Sequence, residues 1–346
     1  NIGDTVYYDN FGRATSAGHK DSTSISYSYS GSNVTMRNEI NDPTTFTYNA
    51  FGEPDEKLLV AVNDPTGNTT SYSRNILGSL TGTTQGGITR SFNYNSKNFL
   101  DSETHPETGT INYGRDNVGN MTSKSDALGG KNYSYDSLNR LTTINYGTET
   151  INFGYDPADN RTSLTSPSAT MGYAYDVVNR LAQKTETIAG RSYTTTYGYD
   201  GNDNVTSITY PSGRYVTYSY NSNNQVTGIS GFGGSVSSVS YNTAGMPTSY
   251  TSSNGLINNI TYNNRNFTTR ITSSTAVDVG YGYDSRGNTQ PITNYLDTTK
   301  NQSFTYDSLS RVTGFNGAWG TGSYTYDSRR TKGHFPYFFS RLTGYN

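Results

Sequence analysis

Tyr133-Ser134-Tyr135-Asp136-Ser137-Leu138-Asn139-Arg140-Leu141-Thr142 holds a strand, a corner and the start of a return strand. Two aromatic residues at a spacing of two place both rings on one face of an extended chain, because side chains alternate along a strand. Asp136 suits the first position of a type I turn, and Asn139 enters the left-handed backbone region at little cost. A turn of this kind, closed by such a residue, is a common short hairpin connection with a bulge. Leu141 and Thr142 then begin the return. The stretch reads as one β-hairpin.

The same wording recurs along the chain. Aligned on the second aromatic, the anchors are Tyr8, Tyr29, Tyr48, Arg74, Tyr94, Arg115, Tyr135, Tyr155, Tyr175, Tyr199, Tyr220, Tyr241, Tyr262, Tyr283, Tyr306 and Tyr326. That is about sixteen copies at a mean spacing of about 21 residues. Arg replaces Tyr twice, and both units keep an aromatic two residues earlier, Tyr72 before Arg74 and Tyr113 before Arg115. The corner position is filled by Gly12, Asn33, Gly52, Gly78, Asn98, Gly119, Asn139, Asp159, Asn179, Asp203, Asn224, Gly245, Asn266 and Gly287, with Ser310 and Arg330 departing. Gly, Asn and Asp share a tolerance of positive φ. Pro157 follows Asp156, where a type I turn favours proline.

A lone hairpin is marginal in water, whereas tandem hairpins can pair edge to edge in a shared sheet. The expected fold is therefore all-β, with tandem hairpins supplying roughly thirty-two strands. Strands twist with a fixed hand, so a sheet this long is expected to spiral as a hollow shell or tube wall. Tyrosines are expected in ladders along one of its faces. The array is expected to run over residues 1–332 as one domain, leaving residues 333–346, with Phe335-Pro336-Tyr337-Phe338-Phe339, as a non-repeat aromatic tail.

Composition agrees with this reading. Charged residues are 15% and hydrophobic residues 31%, yet aromatics reach 13%. Disordered chains are poor in aromatics, so this chain buries something. A net charge of −2 without a basic run argues against a nucleic acid partner. The apolar run Leu58-Leu59-Val60-Ala61-Val62 is far too short for a membrane span and reads as a buried strand. With no cysteine there is no disulfide, thiolate metal site or cysteine nucleophile. The start at Asn1, without Met or a leader, reads as a processed product or a fragment.

Motifs such as Tyr135-Asp136-Ser137-Leu138-Asn139-Arg140-Leu141-Thr142, Tyr175-Asp176-Val177-Val178-Asn179-Arg180-Leu181 and Tyr306-Asp307-Ser308-Leu309-Ser310-Arg311-Val312-Thr313 resemble the YD repeats of the rearrangement-hotspot (Rhs) family. The resemblance spans about residues 1–332. It implies a strand ribbon spiralling into a hollow shell, which in bacteria commonly encloses a toxic C-terminal segment. It also implies relatives on cell walls, in insecticidal toxin complexes and among adhesion receptors, with carbohydrate binding proposed for the repeats. Toxin-bearing members end the shell with an Asp-Pro-x-Gly self-cleavage segment. After Arg330 this chain has no such motif, and Asp64-Pro65-Thr66-Gly67 lies in an early inter-repeat loop.

Candidate sites are few. His19, His105 and His334 fall in unrelated repeats without spacing for a metal or a base and nucleophile, and read as polar loop residues. The repeated Asp occurs once per corner, as a turn former does. Asp200-Gly201-Asn202-Asp203-Asn204 imitates a calcium loop but occupies the corner position and lacks the distal Glu. Sequons at Asn33, Asn68, Asn120, Asn132, Asn160, Asn204, Asn259, Asn266 and Asn301 are largely by-products of the repeat wording. The tyrosines and Trp319 could stack on sugar rings, or serve as cross-strand glue. No catalytic, cofactor or metal site is expected.

The expectation is a non-enzymatic extracellular or cell-surface scaffold, secreted, that self-associates through the open strand edges at its two ends into a fibre or tube. Two alternatives stay open: a fragment of a toxin-encapsulating shell, and a glycan-binding adhesin.

Overall fold

The computed structural model describes residues 5–49 and 57–326. Gly52, His334, Arg330 and the tail at 333–346 lie outside the described residues. Among the described residues there are 31 strands in one antiparallel sheet, with a single short 3₁₀ turn at Thr298–Lys300.

The opening stretch shows how the unit is built. The strand Gly129–Tyr135 turns at Asp136 and returns as Leu141–Asn145. Tyr133 faces Ile144, Ser134 faces Thr143, and Tyr135 faces Leu141, so the register slips by one residue at the anchor. That slip is a β-bulge, which strengthens the local twist and ends regular pairing. At the corner, Asp136 N–H donates to the Arg140 carbonyl (3.0 Å) and Asn139 N–H donates to the Asp136 carbonyl (3.0 Å). The following strand, Thr150–Tyr155, pairs with the return at Thr143–Asn152, Ile144–Ile151 and Asn145–Thr150. Pairing therefore passes from each hairpin to its sequence neighbour.

The corner series behaves as its residue types require. φ is +62° at Asn139, +66° at Asp159 and Asn179, and +74° at Gly12. Ser310, which departs in residue type, still adopts φ +58°, so the geometry holds where the preferred residue is missing. Asn33 is a correction. Tyr29 is followed by Ser30 rather than Asp or Asn, and Gly31 turns two residues earlier (φ +55°). Asn33 is consequently a strand residue, facing Ser30 across a two-residue connection. Leu58–Asn63 is a strand as expected, but half-buried rather than buried.

Few side chains of the sheet are fully buried. Among the described residues Val216 is the one buried apolar side chain. Strands such as Ala169–Tyr175 alternate half-buried and exposed residues, with Tyr173 and Tyr175 on the half-buried side.

The contacts divide the chain into two compact units. Residues 91–258 form one. Residues 1–90 and 259–346 form the other, so the last hairpins lie against the first. There Arg265, in the corner Asn263-Asn264-Arg265-Asn266, reaches Glu39 Oε1 (3.3 Å) and Asp21 Oδ2 (3.5 Å). His19 Nε2 meets the same Glu39 oxygen at 3.4 Å. The corner of a late hairpin thus rests on the opposite, return-side turns of the first two.

The positive φ at Asn139 fixes the effect of substitution. Both substitutions remove the side-chain oxygen, but only Asn139→Ala also strains the backbone, so it is expected to be the less stable of the two by about 1 kcal/mol. Urea unfolding of the two variants checks the ordering.

Candidate functional site

The densest polar organisation lies along the row of hairpin corners. Pairing between successive hairpins stops short of the corner: Leu141 lies beyond the last backbone pair with the next strand. Its carbonyl would be left without a ladder donor, a cost the chain cannot spread over many groups. The hydroxyl of Tyr155, the anchor of the following hairpin, donates to it at 2.9 Å. The same bond recurs from Tyr29, Tyr135, Tyr175, Tyr199, Tyr220, Tyr241, Tyr283, Tyr306 and Tyr326 to the equivalent carbonyl one hairpin back. Hydroxyl-to-carbonyl bonds, more than stacked rings, tie successive anchors together. Ring pairs between hairpins also occur, as Phe267 with Tyr283 at 5.1 Å between centroids.

The two Arg anchors do the same work. Arg74 Nε donates to the Leu59 carbonyl (3.3 Å) and Arg115 Nε to the Leu100 carbonyl (3.4 Å), the positions that tyrosine serves elsewhere. Each adds a bond to its own corner, Arg74 to Gly78 (2.9 Å) and Arg115 to Gly119 (3.0 Å). Sequence alone shows a broken motif at these units. The guanidinium group keeps the function because it too is a long side chain ending in a donor.

The residue after the corner couples adjacent turns. Arg140 Nε donates to Asp136 Oδ2 (2.8 Å), while Nη1 reaches the Asp156 carbonyl (2.9 Å) and Asp159 Oδ1 (2.7 Å) of the next hairpin. Its guanidinium lies 4.9 Å from the centre of the Tyr155 ring. Arg180 repeats the set with Asp176, Asp200, Asp203 and Tyr199. Where Asn replaces Arg, Asn120 and Asn160 donate to Asn139 (2.8 Å) and Asn179 (3.0 Å) of the following corner. Three sequon residues, Asn120, Asn160 and Asn204, are therefore engaged as corner braces.

The repeated carboxylates are turn formers. Asp136 Oδ1 accepts from the N–H groups of Leu138 and Arg140, both at 2.9 Å. The carboxyls of Asp136 and Asp176 are held below the usual carboxylate range, first by the backbone N–H of Arg140 or Arg180 and then by that residue's side chain. At Asp156 and Asp200 the side-chain amide of Asn160 or Asn204 is the leading cause. At Asp284 and Asp307 burial is the largest influence and pushes upward, but hydrogen bonds from Asn288 and Arg311 outweigh it. In the loop at 200–204, Asp200 Oδ1 accepts from the N–H of Asn202 and Asn204 and Asp203 Oδ1 accepts from Arg180. These oxygens already serve donors, and no group of three or more metal-ligating side chains forms among the described residues.

One polar cluster lies away from the corners. Tyr113 hydroxyl donates to Glu103 Oε1 (2.6 Å), and His105 Nε2 lies 3.3 Å from Glu103 Oε2. The Tyr113 bond leads in lowering the Glu103 carboxyl. Burial, then the Glu103 bond, pushes the Tyr113 phenol up to about 12. A phenol so raised is no base at neutral pH, and Glu103 is committed as an acceptor. His19 acquires a neighbour, Glu39, from the next return turn that sequence spacing does not reveal, whereas His105 is a strand residue, not the loop residue expected, and shares a face with Glu103 two positions earlier, as strand alternation allows. Asp64 is buried at a return turn, accepting from Thr66 and Asn68, as a loop former does. Trp319 is exposed at another return turn.

The RHS Repeat family matches residues 135–171, 175–214 and 199–236, the stretch in which anchor, corner Asp and brace recur most regularly. The chain carries RHS repeats over these residues. Among solved structures, TcdB2-TccC3-TEV superposes on this chain with a TM-score of 0.82 at 14% identity, covering 95% of it and 21% of the other chain. A Photorhabdus luminescens Tc holotoxin pore carrying a TccC3 substitution gives 0.82, 14%, 95% and 21%. TcdB2-TccC3 gives 0.80, 15%, 94% and 21%. Identity this low speaks for the fold. The chain spans about a fifth of the length of these solved chains. No curated protein matches it in sequence.

Two outcomes follow from the braces. Tyr155→Phe leaves the Leu141 carbonyl without its donor and is expected to cost about 1 kcal/mol, whereas Arg115→Tyr keeps a donor for the Leu100 carbonyl, gives up only the bond to the Gly119 carbonyl and is expected to cost less; chemical denaturation separates them. The lowered carboxyls contribute stability that is present above their unfolded value, near 4, and lost as pH falls through the lower folded values. Thermal unfolding is therefore expected to hold steady from neutral pH to about 5 and to fall steeply below about 4.

Proposed function

We propose that this chain is a non-enzymatic wall element of a secreted or surface-exposed RHS scaffold, with residues 1–332 acting as one repeat array. The observation that carries the reading is the recurring brace between corners. At most junctions among the described residues a hairpin is tied to the next by a phenol or guanidinium, and at several by an arginine or asparagine bridge as well. Such a device stiffens the sheet. Similarity in fold to TcdB2-TccC3 and to a Tc holotoxin pore supports a place in the wall of a larger toxin-type shell. It supports that place better than an isolated fibre, although open strand edges still offer self-pairing at the ends. Neither a catalytic group, a cofactor nor a metal belongs to this function.

A second reading has its own observation. A shallow cleft of about 490 Å³ is lined by Gly213, Arg214, Tyr215, Gly231, Phe232 and Gly233. Tyr210 meets the Phe232 ring edge-on at 5.1 Å, and the Arg214 guanidinium lies 5.5 Å from the Phe232 ring. Exposed rings beside a donor suit the face and hydroxyls of a sugar. Glycan-array binding lost in Phe232→Ala would support this use; no binding above background removes it.

The wall reading is tested by small-angle scattering of the purified chain. A compact globule of this length has a radius of gyration of about 20 Å, and a single-layer wall must exceed it clearly. A value near the globular one would sink the proposal.

A further inference from the structure

The corners of one motif are buried differently at two places in the chain. In Tyr306-Asp307-Ser308-Leu309-Ser310-Arg311, Leu309 is half-buried. In Tyr135-Asp136-Ser137-Leu138-Asn139-Arg140, Leu138 is 63% exposed. The wording of the two corners is nearly the same, so the difference comes from what lies beyond them. Leu309 belongs to the unit in which late hairpins rest on early ones, where Arg265, also at a corner, faces Asp21 and Glu39 of two return turns. The chain therefore already contains one interface of corner against return turn.

In the unit formed by residues 91–258 the corner row is uncovered and apolar. Val118, Leu138, Val177 and Val178 project from successive or nearby corners, with Val177 fully exposed and Val178 at 59%. The bridges Asn120 to Asn139, Arg140 to Asp159 and Asn160 to Asn179 hold these corners in line. The opposite row of return turns carries its own exposed apolar groups, Leu128, Ile188, Phe232 and Ile257. Aligned apolar side chains on a fixed edge mark an interaction surface more than scattered exposure does.

We infer that the corner row of residues 116–179 docks on the return-turn row of a second copy of this chain, continuing between molecules the packing that Arg265 makes within one. The partner is a second copy because the complementary row is present on the same unit, and because a net charge of −2 sets little repulsion between copies. The contact uses two different surfaces, so it is heterologous and open-ended unless its rotation closes a ring. It is also distinct from pairing at the end strands, since it uses turns rather than unpaired backbone. The inference rests on the chain being wall material, where layers of the wall must meet edge to edge.

Sedimentation velocity of the full chain over a wide concentration range tests it, with circular dichroism to confirm that each variant is folded. The wild type is expected to assemble. A corner variant, Leu138→Asp with Val178→Asp, and a return variant, Leu128→Asp with Ile188→Asp, should each shift to monomer at the same loading. Mixed in equal amounts, they should form a dimer and nothing larger, because each retains the surface the other lacks. A wild type that stays monomeric, assembly that survives in both variants, or a mixture that does not dimerise would each overturn the inference. A monomer with a large radius of gyration would leave the wall reading standing, whereas a compact monomer would remove both.

Discussion

The structure turns on one backbone carbonyl per hairpin. At most anchors, Tyr29 excepted, a bulge twists the hairpin, and pairing with the next one stops short of the corner. This leaves the carbonyl of residues such as Leu141 beyond the ladder. The donor must come from the neighbouring hairpin, from a side chain long enough to cross the gap between diverging strands. Tyrosine meets both needs and also offers its ring to the arginine of the preceding corner, as Tyr155 does to Arg140. The repeat period follows: one hairpin creates the vacancy and the next one fills it.

This arrangement places stability between hairpins instead of in a core. Each hydroxyl bond contributes on the order of 1 kcal/mol, and an arginine over an exposed ring adds about 0.5 to 1. Neither is large, but the hydroxyl bond recurs at most junctions among the described residues and the arginine over a ring at several, and the array behaves as a chain of nearest-neighbour couplings. The sheet can be long without a proportionate core.

Much of this was legible in the residues. The aromatic pair, the corner residue and the apolar return at Leu141 define the hairpin by elementary geometry, and their repetition predicts a shared sheet. Positive φ was readable at Asn139 and Asp159, and even Ser310, the unfavoured residue, keeps it. Asn33 was misread because Tyr29 lacks a following Asp or Asn, and a two-residue turn at Gly31 took the place of the longer one. The bonds between hairpins could not be read, since they depend on where pairing stops, and the bulge sets that by a one-residue slip. The contact of Arg265 with Glu39 was equally hidden, joining residues 226 positions apart in sequence. A faint signal existed in Arg74 and Arg115, where the only replacements for the anchor tyrosine are again long donors. That preference points to a hydroxyl at work rather than a ring alone.

The two edges of the wall are under different constraints, and this bears on where function can diverge. At the corner edge a residue answers to three partners at once: its own turn, the next corner and the neighbouring anchor. Arg140 shows all three. Little can change there without uncoupling two hairpins. At the return edge the connections need only join strands, and they vary from the two-residue turn at Gly86-Gly87 to the long loop at 295–301 with its 3₁₀ turn. The uneven repeat spacing is absorbed at that edge. It also carries His19 and Glu39, the cleft beside Phe232, and exposed Trp319. A wall built this way keeps one edge uniform for mechanical continuity and leaves the other free to acquire charge, aromatic surface or ligands, which is where differences between copies of the repeat should be sought.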